Sequence, residues 1–276
     1  MGGMLSWQWR DGKFLRCDSI PLADRGFRYG MSVFESFRVV NGNPLFLAEH
    51  LDLLLKSCLR LDFHPEPIPL DSVRKTLGTP GEASLFNGLA RLYVTAGEGG
   101  AADGVTHSRV ILFMEERAPV SEQKRENGYT LAIDPEKHRP LFGGLKTANY
   151  WGNLSALSRA RLRGKDEAVL CDGEDRVLSA SLANLFIVRD GRIQTPPAAS
   201  GARAGVLRAW VAGRRLVHEC ALSADDLAGA GEIFLTSSWL GVMPARALED
   251  RVLPSRSTAL ALQAEYEAEV AGPGLA

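Results

Sequence analysis

Apolar and polar residues alternate through residues 7–14, broken only at Asp11-Gly12, which predicts a β-hairpin. A second strand-like run, residues 32–40, rich in Val and Phe, ends at Asn41-Gly42 and predicts another hairpin. The period then changes. Leu47, Leu51, Leu54, Leu55, Cys58 and Leu61 recur at helical spacing and form one apolar stripe. Residues 90–96 and 109–115 read as further strands of the first sheet. The polar stretch 115–128 carries Pro119 and a charge cluster and reads as a connection between domains. Beyond it, residues 129–134 predict a strand and residues 155–163 a helix closed by Gly164. Two strand-turn-strand units follow, residues 167–178 around Asp172-Gly173 and 184–194 around Asp190-Gly191. Residues 206–219 predict a helix, 232–236 a strand and 258–270 a closing helix. Strands and helices do not alternate strictly, so the pattern is α+β rather than a doubly wound parallel sheet. The expected division is a domain over residues 1–117, a mobile loop over 118–128 and a second domain over 129–276.

Composition narrows the function classes. Lys plus Arg is 32 and Asp plus Glu is 33, a net charge of −1. Such a balance supplies no overall attraction for nucleic acid or for an anionic membrane. No apolar run reaches the roughly 18 residues of a transmembrane helix, and residues 1–16 have no signal-type apolar core. Cys17, Cys58, Cys171 and Cys220 are scattered, without metal-ligand spacing. They read as unlinked thiols in a reducing compartment, which makes a cytoplasmic location the expectation and leaves no metal site.

Chemistry starts at Lys146. It follows Gly143-Gly144-Leu145, and those glycines allow close backbone approach. A desolvated lysine is a nucleophilic amine, although a loop lysine taken alone is most often a solvated surface group.

The motif order changes that balance. Residues 22–30 (LADRGFRYG), running into Ser32-Val33-Phe34-Glu35-Ser36, resemble the N-terminal signature of the class IV, or fold-type IV, aminotransferases. In collinear order come Phe46-Leu47-Ala48-Glu49-His50, residues 90–97 (ARLYVTAG), residues 145–150 (LKTANY), residues 166–170 (DEAVL) and residues 179–186 (SASLANLF). Thr195-Pro196-Pro197, Gly205-Val206-Leu207-Arg208 and residues 232–238 (EIFLTSS) complete the set, which spans nearly the whole chain. That family includes branched-chain and D-amino acid aminotransferases and aminodeoxychorismate lyase. The resemblance implies a two-domain α+β fold of the D-amino acid aminotransferase type and pyridoxal phosphate (PLP) as cofactor. It implies an amino acid or keto acid substrate and a homodimer with its active site at the domain interface. It makes Lys146 the Schiff-base lysine. It places Tyr150, Ser179, Gly205, Val206, Leu207, Thr236 and Ser237 on the cofactor side, with Tyr29 and Arg91 on the substrate side.

Three positions depart from the family pattern. Ser179 stands where the family has a Glu against the pyridinium nitrogen, and a hydroxyl carries no charge. Leu53 stands where an Arg meets the phosphate, three residues after His50; Lys56 lies on the same helix, a further 60° round at about 100° per residue. Leu207 replaces the threonine of the Gly-Ile-Thr phosphate turn, leaving backbone amides and the hydroxyls of Thr236, Ser237 and Ser238. The leading expectation is a class IV aminotransferase acting on amino acids. The alternatives are an aminodeoxychorismate lyase, and a degenerate homologue that binds PLP weakly or not at all.

Overall fold

The computed structural model describes residues 4–78, 87–140 and 142–272. The chain divides into two compact units. The first takes residues up to Pro119 together with Lys146–Asn149; the second takes Val120–Leu145 and Tyr150–Gly272.

The first unit contains β1 (Met4–Arg10), β2 (Lys13–Arg16), α1 (Arg25–Tyr29), β3 (Ser32–Val40), β4 (Asn43–Pro44), α2 (Leu47–Arg60), α3 (Leu70–Leu77), β5 (Gly88–Thr95) and β6 (Arg109–Glu116). Among the described residues its six strands form one antiparallel sheet in the order β2-β1-β6-β5-β3-β4. Asp11 and Gly12, with φ of 50° and 76°, form the first hairpin turn, and Asn41 and Gly42, at 50° and 78°, form the second. Positive φ at both central residues gives a turn whose twist matches that of the strands. One sheet face carries Val33, Phe37, Leu92, Val94, Leu112 and Met114, which pack with Leu51, Leu54 and Cys58 of α2. The α2 stripe is narrower than its spacing predicts. Leu55 is 45% exposed, because it sits about 80° round the helix from Leu47, at the margin of the buried face.

The second unit contains α4 (Glu122–Asn127), β7 (Tyr129–Lys137), α5 (Trp151–Leu162), β8 (Glu167–Cys171), β9 (Val177–Ala180), β10 (Asn184–Arg189), β11 (Arg192–Thr195), α6 (Val206–Ala212), β12 (Val217–Glu219), α7 (Ala224–Ala228), β13 (Glu232–Ser237), β14 (Gly241–Leu248), β15 (Arg251–Val252) and α8 (Ser257–Ala271). Among the described residues these strands form a mixed sheet running β12-β11-β10-β13-β14-β7-β8-β9, with β15 on β14. Leu185, Ile187, Ile233, Leu235, Met243 and Val169 belong to its core.

Several elements differ from the sequence expectation. The helix expected over 206–219 ends at Ala212; Gly213 interrupts it, and residues 217–219 pair with β11 as a parallel edge strand. The helix expected over 155–163 begins four residues earlier, at Trp151. The stretch expected as a loop over 118–128 holds α4, whose N-terminus is capped by Ser121 Oγ accepting from the Lys124 amide at 3.3 Å. Strand β14 escapes prediction because it contains Pro244, a residue that argues against a strand interior.

Candidate active site

Lys146 is placed by strand pairing. Thr147 forms an antiparallel bridge with Val33, the Phe34 amide donates to the Lys146 carbonyl at 2.9 Å, and the Ala148 amide donates to Ser32 O at 2.9 Å. The segment therefore runs along the N-terminal half of β3, while β4 covers the C-terminal half. This register puts Lys146 opposite Phe34, on the sheet face away from α2. The Lys146 ammonium lies 4.7 Å from the Phe34 ring centroid, a cation–π geometry. Phe34 stacks on Tyr93 at 4.8 Å, and Tyr93 meets Phe113 edge-on at 5.5 Å. Three strands thus present a continuous aromatic surface beside the amine.

A buried polar pair stands on the opposite face of β3. His50 Nδ1 and Glu35 Oε2 are 2.9 Å apart, each residue 2% exposed. Burial, and then the charge of Lys146, hold the imidazole down at about 3, against an upward push from Glu49. The ring is neutral, and with a carboxylate oxygen as neighbour its Nδ1 carries the proton.

The Asp24-Arg25-Gly26 motif acts through structure. Asp24 caps α1 by accepting from the Gly26 amide at 2.8 Å, and its other oxygen accepts from Thr95 Oγ1 at 2.9 Å. Arg25 is almost wholly buried and donates to the carbonyls of Ala96, Gly97 and Asp103. This clamp fixes α1, at whose end Tyr29 is 43% exposed beneath the Arg28 guanidinium. Asn149 Nδ2 donates to Gly30 O at 3.2 Å, tying the lysine segment to the residue after Tyr29. Arg91 shares the sheet face of Phe34 and Tyr93, where its guanidinium pairs with Glu115 at 2.8 Å. Leu53 is half-buried on α2, and the Lys56 ammonium is engaged by exposed Asp52 at 2.6 Å.

The second unit gathers the remaining residues. Ser179 is half-buried on β9, opposite Leu170. Its neighbour by two, Ser181, donates its hydroxyl to buried Glu167; burial raises that carboxyl, against the hydrogen bonds from Ser181 and Ala168. Gly205 is the N-cap of α6, and Val206 and Leu207 are buried, so only their backbone can face a ligand. A Cβ on Gly205 would lie 2.5 Å from Asn184 Oδ1, while Asn184 Nδ2 donates to Arg203 O at 2.7 Å. Thr236 is the register partner of Asn184. It is 1% exposed, and its Oγ1 has no hydrogen-bond partner among the described residues. Ser237 Oγ accepts from the Leu240 amide at 3.2 Å. Tyr150 is half-buried at the N-cap of α5.

Glu35 and His50 enter the sequence pattern only as members of longer motifs, and Arg203 lies in none of them. The signal for Arg203 was available. It is a lone cation in the small-residue tract 196–206.

A family model for amino-transferase class IV matches residues 32–248. The chain is 30% identical to the 4-amino-4-deoxychorismate lyase of Pseudomonas aeruginosa, with a TM-score of 0.83 over 96% of this chain and 99% of that one. It is 27% identical to the D-alanine aminotransferase of Listeria monocytogenes, over 82% of this chain and 81% of the relative. A hypothetical aminotransferase from Mycobacterium tuberculosis, solved in a PLP-bound form, is 21% identical, with a TM-score of 0.79 over 97% and 99% of the two chains, and speaks to the fold alone. Among the described residues no helix is long and apolar enough to cross a membrane. The motif order, the strand-held lysine and these matches agree: the chain belongs to the class IV aminotransferase family, whose members depend on PLP.

Proposed function

We propose that this chain is a PLP-dependent enzyme of amino acid metabolism, in the first instance an aminotransferase exchanging an amino group between an amino acid and a keto acid. The observation that carries the reading is Lys146, a half-buried amine fixed in strand register over the Phe34 ring. Thr236 supports the fit of the cofactor. A buried hydroxyl without a partner costs about 1–3 kcal/mol, and a phosphate oxygen would satisfy it. When bound, PLP withdraws electrons from the substrate Cα–H bond.

The protein's own residues have separable tasks. Lys146 Nζ is the amine that would hold the cofactor and, when free, would move the substrate proton as a general base and acid. The backbone amides of Val206 and Leu207 and the hydroxyl of Thr236 would hold phosphate oxygens. Ser179 offers the ring nitrogen a neutral hydrogen-bonding group. The Phe34–Tyr93–Phe113 surface excludes water from the amine. Tyr29 and Arg91 serve the substrate, and Arg91 must then exchange Glu115 for a substrate carboxylate. The protein works as a cytoplasmic homodimer.

A second reading, aminodeoxychorismate lyase, is favoured by the 30% identity to the Pseudomonas enzyme across nearly the whole chain. The deciding experiment adds PLP, reduces with borohydride and maps the modified peptide. Trapping at Lys146, absent in Lys146→Ala, supports the cofactor reading. Steady-state assays with D- and L-amino donors and with aminodeoxychorismate then divide transaminase from lyase. No trapping at millimolar PLP would leave a class IV fold that has lost its chemistry.

A further inference from the structure

The turn leading into α6 is held more tightly than a connecting loop requires. Gly201, at φ 96°, backs onto Pro140, so a Cβ there would lie 2.7 Å from the proline ring. Gly144, two residues before Lys146, is packed so closely that its Cβ would lie 2.6 Å from Ala202 O. Asn184 grips the Arg203 carbonyl from one amide end and crowds Gly205 from the other. Arg203 is thus the one residue of residues 201–205 with a long charged side chain, on a backbone fixed at both ends.

Two facts give this cation a purpose. Thr236 projects from the same sheet face as Asn184, because the two are register partners on β13 and β10. The Asn184 side chain on that face reaches the Arg203–Gly205 backbone, so the buried, unpartnered Thr236 Oγ1 is directed to the same neighbourhood. Burial also draws the Arg203 guanidinium down to about 10, which still leaves it charged at neutral pH. A half-buried cation whose backbone is gripped by Asn184, the register partner of a buried, unsatisfied hydroxyl, offers an anion a charge and a hydrogen bond from one sheet face. A guanidinium presents two parallel N–H groups that match two phosphate oxygens.

We propose that Arg203 is the cationic partner of the cofactor's phosphate ester in this chain, with Thr236 Oγ1 donating a second hydrogen bond. It would supply the charge that α2 lacks at Leu53. The assignment rests on the PLP reading above, but its core claim, a phosphate-binding Arg203, can be tested apart from it.

The test measures binding rather than turnover. PLP and unphosphorylated pyridoxal are titrated into the wild type and into Arg203→Met, Arg203→Lys and Thr236→Val, and inorganic phosphate is followed by ³¹P line broadening. Circular dichroism checks that each variant folds. Arg203→Met should weaken PLP by roughly ten- to a hundredfold, the worth of a charge-assisted contact. Pyridoxal affinity should stay unchanged, and Arg203→Lys should recover part of the loss. Thr236→Val should weaken PLP less. Equal losses for PLP and pyridoxal, or no loss in Arg203→Met, overturn the proposal. If the wild type binds neither pyridoxal nor PLP, the cofactor reading fails. Phosphate broadening that disappears in Arg203→Met and is kept in part in Arg203→Lys would then still uphold an anion site at Arg203, and its undiminished persistence in Arg203→Met would refute one.

Discussion

His50 Nδ1 lies 2.9 Å from Glu35 Oε2, and both side chains are almost wholly shut off from water. The pair sits on the α2 side of β3, whose Phe34 amide holds the Lys146 carbonyl on the next residue along. Burial keeps His50 neutral to about 3, whereas in the unfolded chain it protonates near 6.5. Between those values the unfolded state binds more protons, so this group's contribution to stability falls as pH drops. His50→Gln keeps a donor for Glu35 and does not titrate. Its Tm should therefore change less than that of the wild type between about pH 6.5 and 4. Identical slopes in the two proteins would show that the buried imidazole is not held neutral.

Gly205 is required by close approach rather than by φ, which is −72°. Gly205→Ala puts a Cβ 2.5 Å from Asn184 Oδ1, a distance that forces the backbone or Asn184 to move. The expected cost is about 1–3 kcal/mol in urea unfolding. In an Asn184→Ala background the same change should cost less, because the obstructing oxygen is gone. Strictly additive costs would place the clash elsewhere.

How much of this could be read from residues alone differs between the two units. The hairpins at Asp11-Gly12 and Asn41-Gly42 were legible because their turn chemistry is local. So was α2, whose stripe of Leu47, Leu51, Leu54 and Cys58 is long and periodic. The end of α6 was not, since residues 214–219 remain helix-compatible locally and become an edge strand only by pairing with β11. Lys146 could be named from motif order, but the reason it is rigid is a pairing with residues more than a hundred positions away. Arg91 illustrates the opposite limit. Its partner Glu115 stands on the neighbouring strand, and only the register of β5 against β6 brings the two together. Leu53 and Ser179 were visible as missing charges. Arg203 was visible only as a residue, because its meaning depends on Asn184 and Thr236 facing the same way.

Ser179 tests the electronics of the site. A hydroxyl leaves a ring nitrogen neutral more of the time than a carboxylate does, so with Ser179 in the role proposed above PLP would be a weaker electron acceptor. Ser179→Glu should raise transaminase turnover by about tenfold, the worth of roughly one charged in place of one neutral hydrogen bond. Lys146→Ala in the same background should abolish that activity. A Ser179→Glu protein that binds PLP normally and turns over no faster would show that this position does not govern the ring nitrogen.

Glu232 anchors the start of α8, whose first amides have no partners within the helix. Its carboxylate accepts from the Thr258 amide at 3.0 Å, the Ala259 amide at 3.3 Å, and the hydroxyls of Ser255 and Ser257 at 3.0 and 2.9 Å. Burial raises its pKa, but the Thr258 amide, the Ser257 hydroxyl and the Ala259 amide outweigh it and hold the carboxyl below its ordinary value. A carboxyl lowered by folding contributes stability above its unfolded pKa and loses it as pH falls through the folded one. Glu232→Gln should therefore cost about 1.5–3 kcal/mol at neutral pH, the range for hydrogen bonds to a charged group. The gap from wild type should close as pH falls below about 4.3, where the unfolded carboxyl protonates. The Trp210–Tyr266 contact, edge-on at 5.6 Å, reports α8 through near-ultraviolet circular dichroism. Loss of that signal at a lower denaturant concentration in Glu232→Gln, by a wider margin at pH 7 than at pH 3, is the expected result. A gap that does not narrow between pH 7 and pH 3 would mean that the glutamine disturbs packing rather than the charge that caps the helix.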